Sequence, residues 1–440
     1  MIRLKAPASK SVSHRMLIAA ALSDGESLVH NVLSSADLER TRTILQTAGT
    51  EMDDLGCGDW RVRGMEGGPR GGNPELPADC FVSESGTTCR LLSAVLAAGR
   101  GTFRIHGAER MHERPIGALT DVLSELGADI AFENRPGFPP MIIQSQGLRC
   151  GRVSLRVDES SQYLSGLLLA APFCSRELCV TLTGSKAVSW PYVGLTLQAM
   201  EDFGITFRVE QLNGESWQSV PWKELTSVTP GEVRIFVQPG RYNAGEYSVE
   251  GDWSGASYLL AAGAVGQNPV LVTGLRADSL QGDRIILDLL RTMGASIEMR
   301  ADGILVSPSP LTGIDVDMGQ CPDLVPTLAM TAAFAEGVTH IRNIAHLRIK
   351  ECDRLSACAA ELARIGVRTE ETEDSLTIYG CGPARPTVPA GTVFRTSNDH
   401  RMAMSCALFG LVPGNVVEVD DTSVVRKSFP EFWNVWRELA

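Results

Sequence analysis

The feature that most constrains this chain is internal repetition: two kinds of helix alternate along it, each kind occurring six times. The first kind is apolar and rich in alanine, ends near a turn residue and runs into a short β-rich segment. Its copies cover 13–29, 87–105, 162–180, 254–272, 324–341 and 400–417, with turns at Gly25, Gly101, Ser175, Gly266, Gly337 and Gly414. From Gly25 to Gly101 is 76 residues, from Gly266 to Gly337 is 71 and from Gly337 to Gly414 is 77, and such self-similarity marks a supersecondary unit that buries its apolar face only against its neighbours. The second kind has apolar residues three and four apart and stops at Gly49, Gly127, Gly204, Gly294 and Gly366. Glycine just past a helix ends it in the left-handed region without a Cβ penalty. A sixth member is 429–439. The N-terminal run Met1-Ile2-Arg3-Leu4-Lys5 is expected to supply the strand that follows it, so that the chain closes on itself.

Six units of two helices with intervening strands predict an α/β protein made of two pseudo-symmetric domains of three units each. The longest interval between glycine stops, Gly204 to Gly294, contains a polar stretch at 211–230 and a glycine-rich turn at 239–245, which places the crossing near 248–251. One domain is therefore predicted to be 1–9 plus 249–440, and the other 10–248. The glycine-bearing polar stretch 53–77 lacks the Lys-Ser/Thr ending of a phosphate loop and is predicted to be a mobile surface loop.

A net charge of −12 repels polyphosphate backbones and anionic membrane surfaces, so neither nucleic acid nor membrane is expected as a partner. With no apolar leader and no long apolar run, the chain is expected in the cytoplasm. The eleven cysteines form no Cys-x-x-Cys pair and no Cys/His ligand spacing, which predicts reduced thiols and no metal site.

Against this acidic background, the helix starts are cationic. The first amide N–H groups of a helix lack intrahelical partners, and the macrodipole adds partial positive charge there, so these ends attract phosphate and carboxylate. The positions are Lys10, Ser11 and Arg15; Gly86, Thr87 and Arg90; Arg110 and Arg114; Ser160, Ser161 and Gln162; Ser189 and Tyr192; Asp323; Lys350, Glu351 and Arg354; His400 and Arg401; and Lys427. Serine and aspartate are ordinary N-caps, and any one of these residues alone would be read as structural. Lysine and arginine at a helix start oppose the dipole, so six of them in or beside first turns point to anionic ligands. Asp323 and Glu351 are the carboxylates in this set, and with Lys350 and Lys427 they are the groups that could exchange protons. Gly-x-Ser-x-Gly and His-Glu-x-x-His are both absent. The combination predicts group transfer from a small phosphorylated donor.

The motifs that carry these residues are Ser9-Lys10-Ser11-Val12-Ser13-His14-Arg15, Ser85-Gly86-Thr87-Thr88-Cys89-Arg90, Arg110-Met111-His112-Glu113-Arg114-Pro115, Ser160-Ser161-Gln162 and Ser189-Trp190-Pro191-Tyr192. They continue with Pro322-Asp323, Arg348-Ile349-Lys350-Glu351-Cys352-Asp353-Arg354, Asn398-Asp399-His400-Arg401 and Arg426-Lys427-Ser428-Phe429-Pro430. In this order, across nearly the whole chain, they resemble the 5-enolpyruvylshikimate-3-phosphate synthase family of enolpyruvyl transferases. The resemblance implies two domains, each of three βαβαββ units around a pseudo-threefold axis in an inverted α/β barrel-like arrangement, with a cleft between them. It implies transfer of the enolpyruvyl group of phosphoenolpyruvate to the 5-hydroxyl of shikimate 3-phosphate, on the route to chorismate and aromatic amino acids. No metal or organic cofactor is implied, and a monomer is expected.

Carried over by position, the resemblance implies that Ser11 and Arg15 meet the shikimate carboxylate. Ser160, Ser161, Ser189 and Lys350 take its ring substituents and 3-phosphate, Tyr192 lies against the ring, and Lys10, Gln162, Asp323 and His346 complete that site. For phosphoenolpyruvate, Arg354 and Arg401 meet the carboxylate, and Lys10, Gly86, Arg114, Gln162 and Lys427 meet the phosphate, with His400 beside them. Asp323, Glu351, Lys427 and Lys10 are the implied catalytic groups, Glu351 nearest the methylene proton and Asp323 nearest the hydroxyl. Three positions depart from common family residues: Glu84 for asparagine, His346 for asparagine and Trp190 for lysine. The sister family, which uses UDP-N-acetylglucosamine as acceptor, carries a reactive cysteine in the loop before the Arg-Pro helix. Here Gly107-Ala108-Glu109-Arg110 has none.

Overall fold

The computed structural model describes residues 1–149 and 151–439. The chain divides into two compact units, Lys10–Val249 and Met1–Ser9 with Glu250–Ala440. The Lys10–Val249 unit holds six helices, α1 (Lys10–Ala21), α2 (Ala36–Thr47), α3 (Gly86–Ala97), α4 (Gly117–Glu125), α5 (Gln162–Ala170) and α6 (Pro191–Asp202), among the described residues. The other unit holds α7 (Trp253–Val265), α8 (Ile286–Thr292), α9 (Val325–Ala332), α10 (Arg354–Arg364), α11 (His400–Cys406) and α12 (Phe432–Trp436).

One strand pattern recurs through both. Ala78–Phe81 runs parallel to Arg100–His106, which pairs antiparallel with Met141–Gln146, itself antiparallel to Asp129–Phe132. With α3 and α4 between them, these strands make a βαβαββ unit. Arg152–Arg156, Leu178–Thr183, Val233–Val237 and Phe207–Asn213 repeat it around α5 and α6. Glu246–Ser248, Glu26–His30, Asp59–Arg63 and Glu51–Gly56 repeat it around α1 and α2. In the other unit, Ile2–Lys5, Val270–Thr273, Gly303–Ser307 and Ser296–Arg300 accompany α7 and α8, and Asp315–Asp317, Val338–Arg342, Leu376–Tyr379 and Thr369–Glu371 accompany α9 and α10. The last copy, around α11 and α12, is reduced to the parallel pair Val393–Phe394 and Glu418–Val419 among the described residues.

The N-terminal strand departs from the sequence expectation. It pairs with Val270–Thr273, the strand after α7, instead of following α12. Parallel partners need a helical crossover, and the chain supplies it by exchange. Ile2–Lys5 precedes α1 in sequence but opens the sheet of α7, while Glu246–Ser248 precedes α7 and pairs beside the strand after α1.

The two kinds of helix differ in burial for a simple reason. Every residue of α7 is buried, as are residues 163–170 of α5, because helices apolar all round can satisfy their surface only inside. Close packing is built in: a Cβ at Gly166 of α5 would come within 2.6 Å of the Arg90 carbonyl oxygen in α3. By contrast α10 buries Leu355, Cys358 and Leu362 at helical spacing and leaves Ala360, Ala363 and Arg364 exposed on its other face. The five predicted glycine stops have φ between 77° and 116°. Gly266 does not: its φ is −75°, and the end of α7 is capped from elsewhere, by the Arg385 guanidinium donating to the Val265 carbonyl.

The stretch expected to be a loop is half built. Asp59–Arg63 is a central strand with Val62 wholly buried, the alternation Trp60, Val62 against Arg61, Arg63 serving as its inward pattern. Residues 64–77 hold isolated bridges at Arg70 and Gly72. Among the described residues no helix is long and apolar enough to cross a membrane.

Candidate active site

In the Lys10–Val249 unit, the helix starts are tied together by neutral groups. Arg15, 1% exposed, donates from Nε to Thr196 Oγ1 at 2.8 Å, from Nη1 to the Ser11 carbonyl at 2.8 Å, and from Nη2 to the Tyr192 carbonyl and Ser165 Oγ at 2.9 and 3.3 Å. Burial lowers it to about 10, with the Tyr192 side opposing that shift. Two of those bonds join α1 to α6 and one joins it to α5; before α6, Ser189 stands at φ +56°, and Tyr192 lies in its first turn. Trp190, in place of a family lysine, is buried and donates from Nε1 to the Leu225 carbonyl.

A second knot joins α3, α5 and the turn before α4. Arg90 donates to Gln162 Oε1 at 3.0 Å, Gln162 Nε2 donates to Thr87 Oγ1 at 2.9 Å, and the Gln162 amide donates to Ser160 Oγ at 3.2 Å. Arg114 is buried and donates to the Glu84 carbonyl at 3.1 Å. Its guanidinium lies over the start of α3 so closely that a Cβ at Gly86 would come within 2.5 Å of Nη2. Only glycine lets this cation sit against the helix start. Ser161 is buried beside Ser160. Arg110 is set apart, pairing with Glu113 at the surface.

Behind these starts runs a chain of hydroxyls. His14 Nδ1 lies 2.8 Å from Thr41 Oγ1, which lies 2.8 Å from Thr88 Oγ1, which lies 2.7 Å from Ser85 Oγ. It fastens α1, α2 and α3 together. Burial holds His14 neutral, down to about 3. Lys10, first residue of α1, has a carboxylate neighbour, Asp37 Oδ2 at 3.3 Å.

The cluster in the other unit is built from ion pairs. Arg354, 1% exposed, contacts Asp399 Oδ2 from Nε at 2.7 Å, Asp323 Oδ1 from Nη1 at 2.9 Å and Glu351 Oε2 from Nη2 at 2.7 Å. Burial works against its charge, but Asp399, Glu351 and Asp323 together raise it well above the ordinary arginine value. Arg401 Nη2 donates to Asp323 Oδ2 at 2.6 Å, and Lys427 Nζ lies 3.4 Å from Glu351 Oε1. Asp323 thus bridges two guanidiniums, and Glu351 bridges a guanidinium and an ammonium. Lys350 and Glu351 occupy the half-buried turn before α10, His346 is buried in the preceding turn, and His400 is the wholly buried first residue of α11.

Sequence reasoning missed two carboxylates here. Asp399 is the N-cap of α11, accepting from the Arg401 amide at 2.9 Å, and it is fully buried against Arg354. Asp283 is 2% exposed and accepts from Ser254 Oγ. Burial first, then the Asp323 charge, push it up to about 7, against the pull of Arg401 and the Ser254 bond, with Asp252 adding to the rise. Asp399 lies within a motif that the sequence did single out, but an aspartate before a helix is the usual cap. Among the described residues no group of three or more His, Cys, Asp or Glu is arranged to hold a metal ion. The described cysteines are free thiols.

The comparisons with known proteins agree with one another. Residues 2–436 match the family model described as EPSP synthase (3-phosphoshikimate 1-carboxyvinyltransferase). The 3-phosphoshikimate 1-carboxyvinyltransferase of Nitrosomonas europaea is 39% identical over 99% of this chain and 96% of its own, and that of Ralstonia nicotianae is 40% identical with the same coverage. Among solved structures, EPSP synthase from Acinetobacter baumannii aligns with a TM-score of 0.76 at 25% identity, covering 100% of this chain and 95% of its own. The enolpyruvyl transferase NikO from Streptomyces tendae shares the fold, with a TM-score of 0.72 at 17% identity, covering 100% of this chain and 95% of its own. By sequence and by fold, the chain belongs to the EPSP synthase (3-phosphoshikimate 1-carboxyvinyltransferase) family.

Proposed function

We propose that the chain carries out its family's reaction, transfer of the enolpyruvyl group of phosphoenolpyruvate to the 5-hydroxyl of shikimate 3-phosphate, with the two clusters dividing the work. Substrate charge is met by residues of both units, most of them from the neutral-lined cluster. Ser11 and the Nη1 N–H that Arg15 does not spend internally meet the shikimate carboxylate; Ser160, Ser161, Ser189 and Lys350 meet its ring substituents and 3-phosphate, with His346 nearby, and Tyr192 lies against the ring. Lys10, Arg114, Gln162, Lys427 and the helix start at Gly86 hold the donor's phosphate, with His400 beside it. Arginine's planar fork suits both anions.

The ion-paired cluster moves protons. Arg354 and Arg401 are the cations for the donor carboxylate, and Asp323 now occupies both of them. A substrate carboxylate that takes over those guanidiniums releases Asp323 from its ion pairs, making it available to accept the 5-hydroxyl proton. As the hydroxyl oxygen bonds to the central carbon of the donor, Glu351 relays to the methylene a proton taken from the Lys427 ammonium, 3.4 Å from its Oε1. In the second step a methyl proton returns to Glu351, the double bond reforms and phosphate leaves, its charge met by Lys427, Lys10 and Arg114. Holding both reactants in place and aiming fixed cations at developing charge supply the rate.

The observation that carries this reading is that Asp323 and Glu351, the proposed base and acid, grip the same guanidinium of Arg354 at 2.9 and 2.7 Å. Glu351→Gln tests it. Binding of both substrates by calorimetry should persist, while turnover falls by about 10²–10⁴-fold, the usual share of acid–base catalysis. Turnover equal to that of the parent would remove Glu351 from the mechanism.

A further inference from the structure

At the far ends of the same helices that enter the ion-paired cluster lies a cavity of about 410 Å³. It is formed where α7 and α9 finish, at Val265 and Phe334, whereas Asp252 caps the start of α7 and Asp323 stands at the entry to α9. The thirteen residues of α7 set the two places roughly 20 Å apart at 1.5 Å per residue. The cavity is within the usual range for small-ligand pockets.

Its walls carry three kinds of chemistry. Leu311, Phe334 and Pro383 form an apolar side, and the Phe334 ring is braced by stacking on Phe409 with centroids 5.8 Å apart. Arg385 contributes a cation. It stands at φ +52°, a conformation non-glycine residues adopt only where the surroundings impose it. Its guanidinium lies 5.3 Å from the Phe334 ring centroid and donates from Nη2 to the Val265 carbonyl, yet no carboxylate pairs with it among the described residues. Its buried Nε has no hydrogen-bond partner. Glu336, exposed at the cavity wall, contributes a carboxylate.

An unpaired cation, an anion and an apolar wall in one pocket match a zwitterion with a hydrophobic tail. A simple carboxylate would leave Glu336 unanswered, and a simple amine would leave Arg385 so. We propose that this cavity binds an α-amino acid with a large apolar side chain, its carboxylate on Arg385, its ammonium on Glu336 and its side chain against Leu311, Phe334 and Pro383.

Calorimetric titration of the full chain with L-phenylalanine tests this, alongside 3-phenylpropanoate, 2-phenylethylamine and glycine, which lack the ammonium, the carboxylate and the side chain in turn. Saturable binding of L-phenylalanine is expected, weakened at least tenfold for each of the three analogues. Saturating phosphoenolpyruvate and shikimate 3-phosphate should leave that affinity within twofold. Glu336→Gln, at an exposed position that leaves folding intact, should weaken L-phenylalanine at least tenfold without changing the affinity for 3-phenylpropanoate. Arg385→Gln should likewise weaken L-phenylalanine, and 3-phenylpropanoate with it, while sparing 2-phenylethylamine; if loss of the α7 cap unfolds that variant, Glu336→Gln alone decides. Absence of saturable binding at millimolar L-phenylalanine, displacement by the substrates, or an unchanged affinity in Glu336→Gln would each overturn the proposal.

Discussion

The two clusters begin from the same architecture, buried cations in or beside the first turns of helices, and hold those cations in opposite ways. Arg15 is satisfied by two hydroxyls and two carbonyls, Arg354 by three carboxylates. Neutral acceptors leave a guanidinium its charge, which suits a surface meant to attract phosphate and carboxylate. Carboxylate acceptors cancel the charge but put proton-exchanging groups beside it. The repeated fold therefore supplies positions, and the choice of acceptor decides whether a cation stands ready for a ligand or is first released by a carboxylate that can itself take a proton.

The contrast can be broken most severely at Arg354. Arg354→Met should leave Asp399, which is wholly buried, without its cation and cost about 3–5 kcal/mol in urea unfolding, with activity lost. A cost below about 1 kcal/mol would mean that the ion pairs are not what holds this cluster. The next effect is on pH dependence, and the two units should respond with opposite sign. The Asp283 carboxyl is raised to about 7, so its stabilising contribution is present below about 4 and lost as pH rises through about 7. Asp283→Asn should therefore gain stability relative to the parent across that window, with a slope of at most about 1.4 kcal/mol per pH unit. His14 is lowered to about 3, so its contribution is present above about 6.5 and lost as pH falls towards 3. His14→Gln should gain relative stability on acidification, and thermal melts from pH 4 to 8 on the two variants check both signs. Smaller again is Thr88→Val, which cuts the hydroxyl chain between α2 and α3 and should cost about 1–3 kcal/mol, equally at low and high salt. Smallest is Arg110→Ala, whose exposed pair with Glu113 should be worth less than about 1 kcal/mol and should leave activity unchanged.

Much of this was legible in the chain before any coordinate. The alternation of two helix kinds and the glycine stops carried the six units of two helices with intervening strands, and the family resemblance implied their βαβαββ order; the two kinds differ because a buried helix must be apolar all round and an outer one cannot be. Lysine and arginine at helix starts signalled ligands, because the dipole argues against placing them there. The partners of those cations were not legible. Arg354 and Asp399 are 45 residues apart and Thr41 and Thr88 are 47, and such pairings are set by how helices pack, not by local pattern. Asp399 also hid in plain view, since an N-cap aspartate needs no other explanation. The N-terminal strand misled because repetition shows that a strand is owed somewhere but not which sheet receives it. Arg385 stands before a proline in an irregular stretch, where nothing in the sequence distinguishes a helix cap from a loop residue.

The most direct test of the whole account is phosphate release by the purified chain. With phosphoenolpyruvate and shikimate 3-phosphate together, phosphate should appear in equal amount with the enolpyruvyl ether, and with either substrate alone there should be none. Release with UDP-N-acetylglucosamine in place of shikimate 3-phosphate, or from phosphoenolpyruvate without an acceptor, would contradict it.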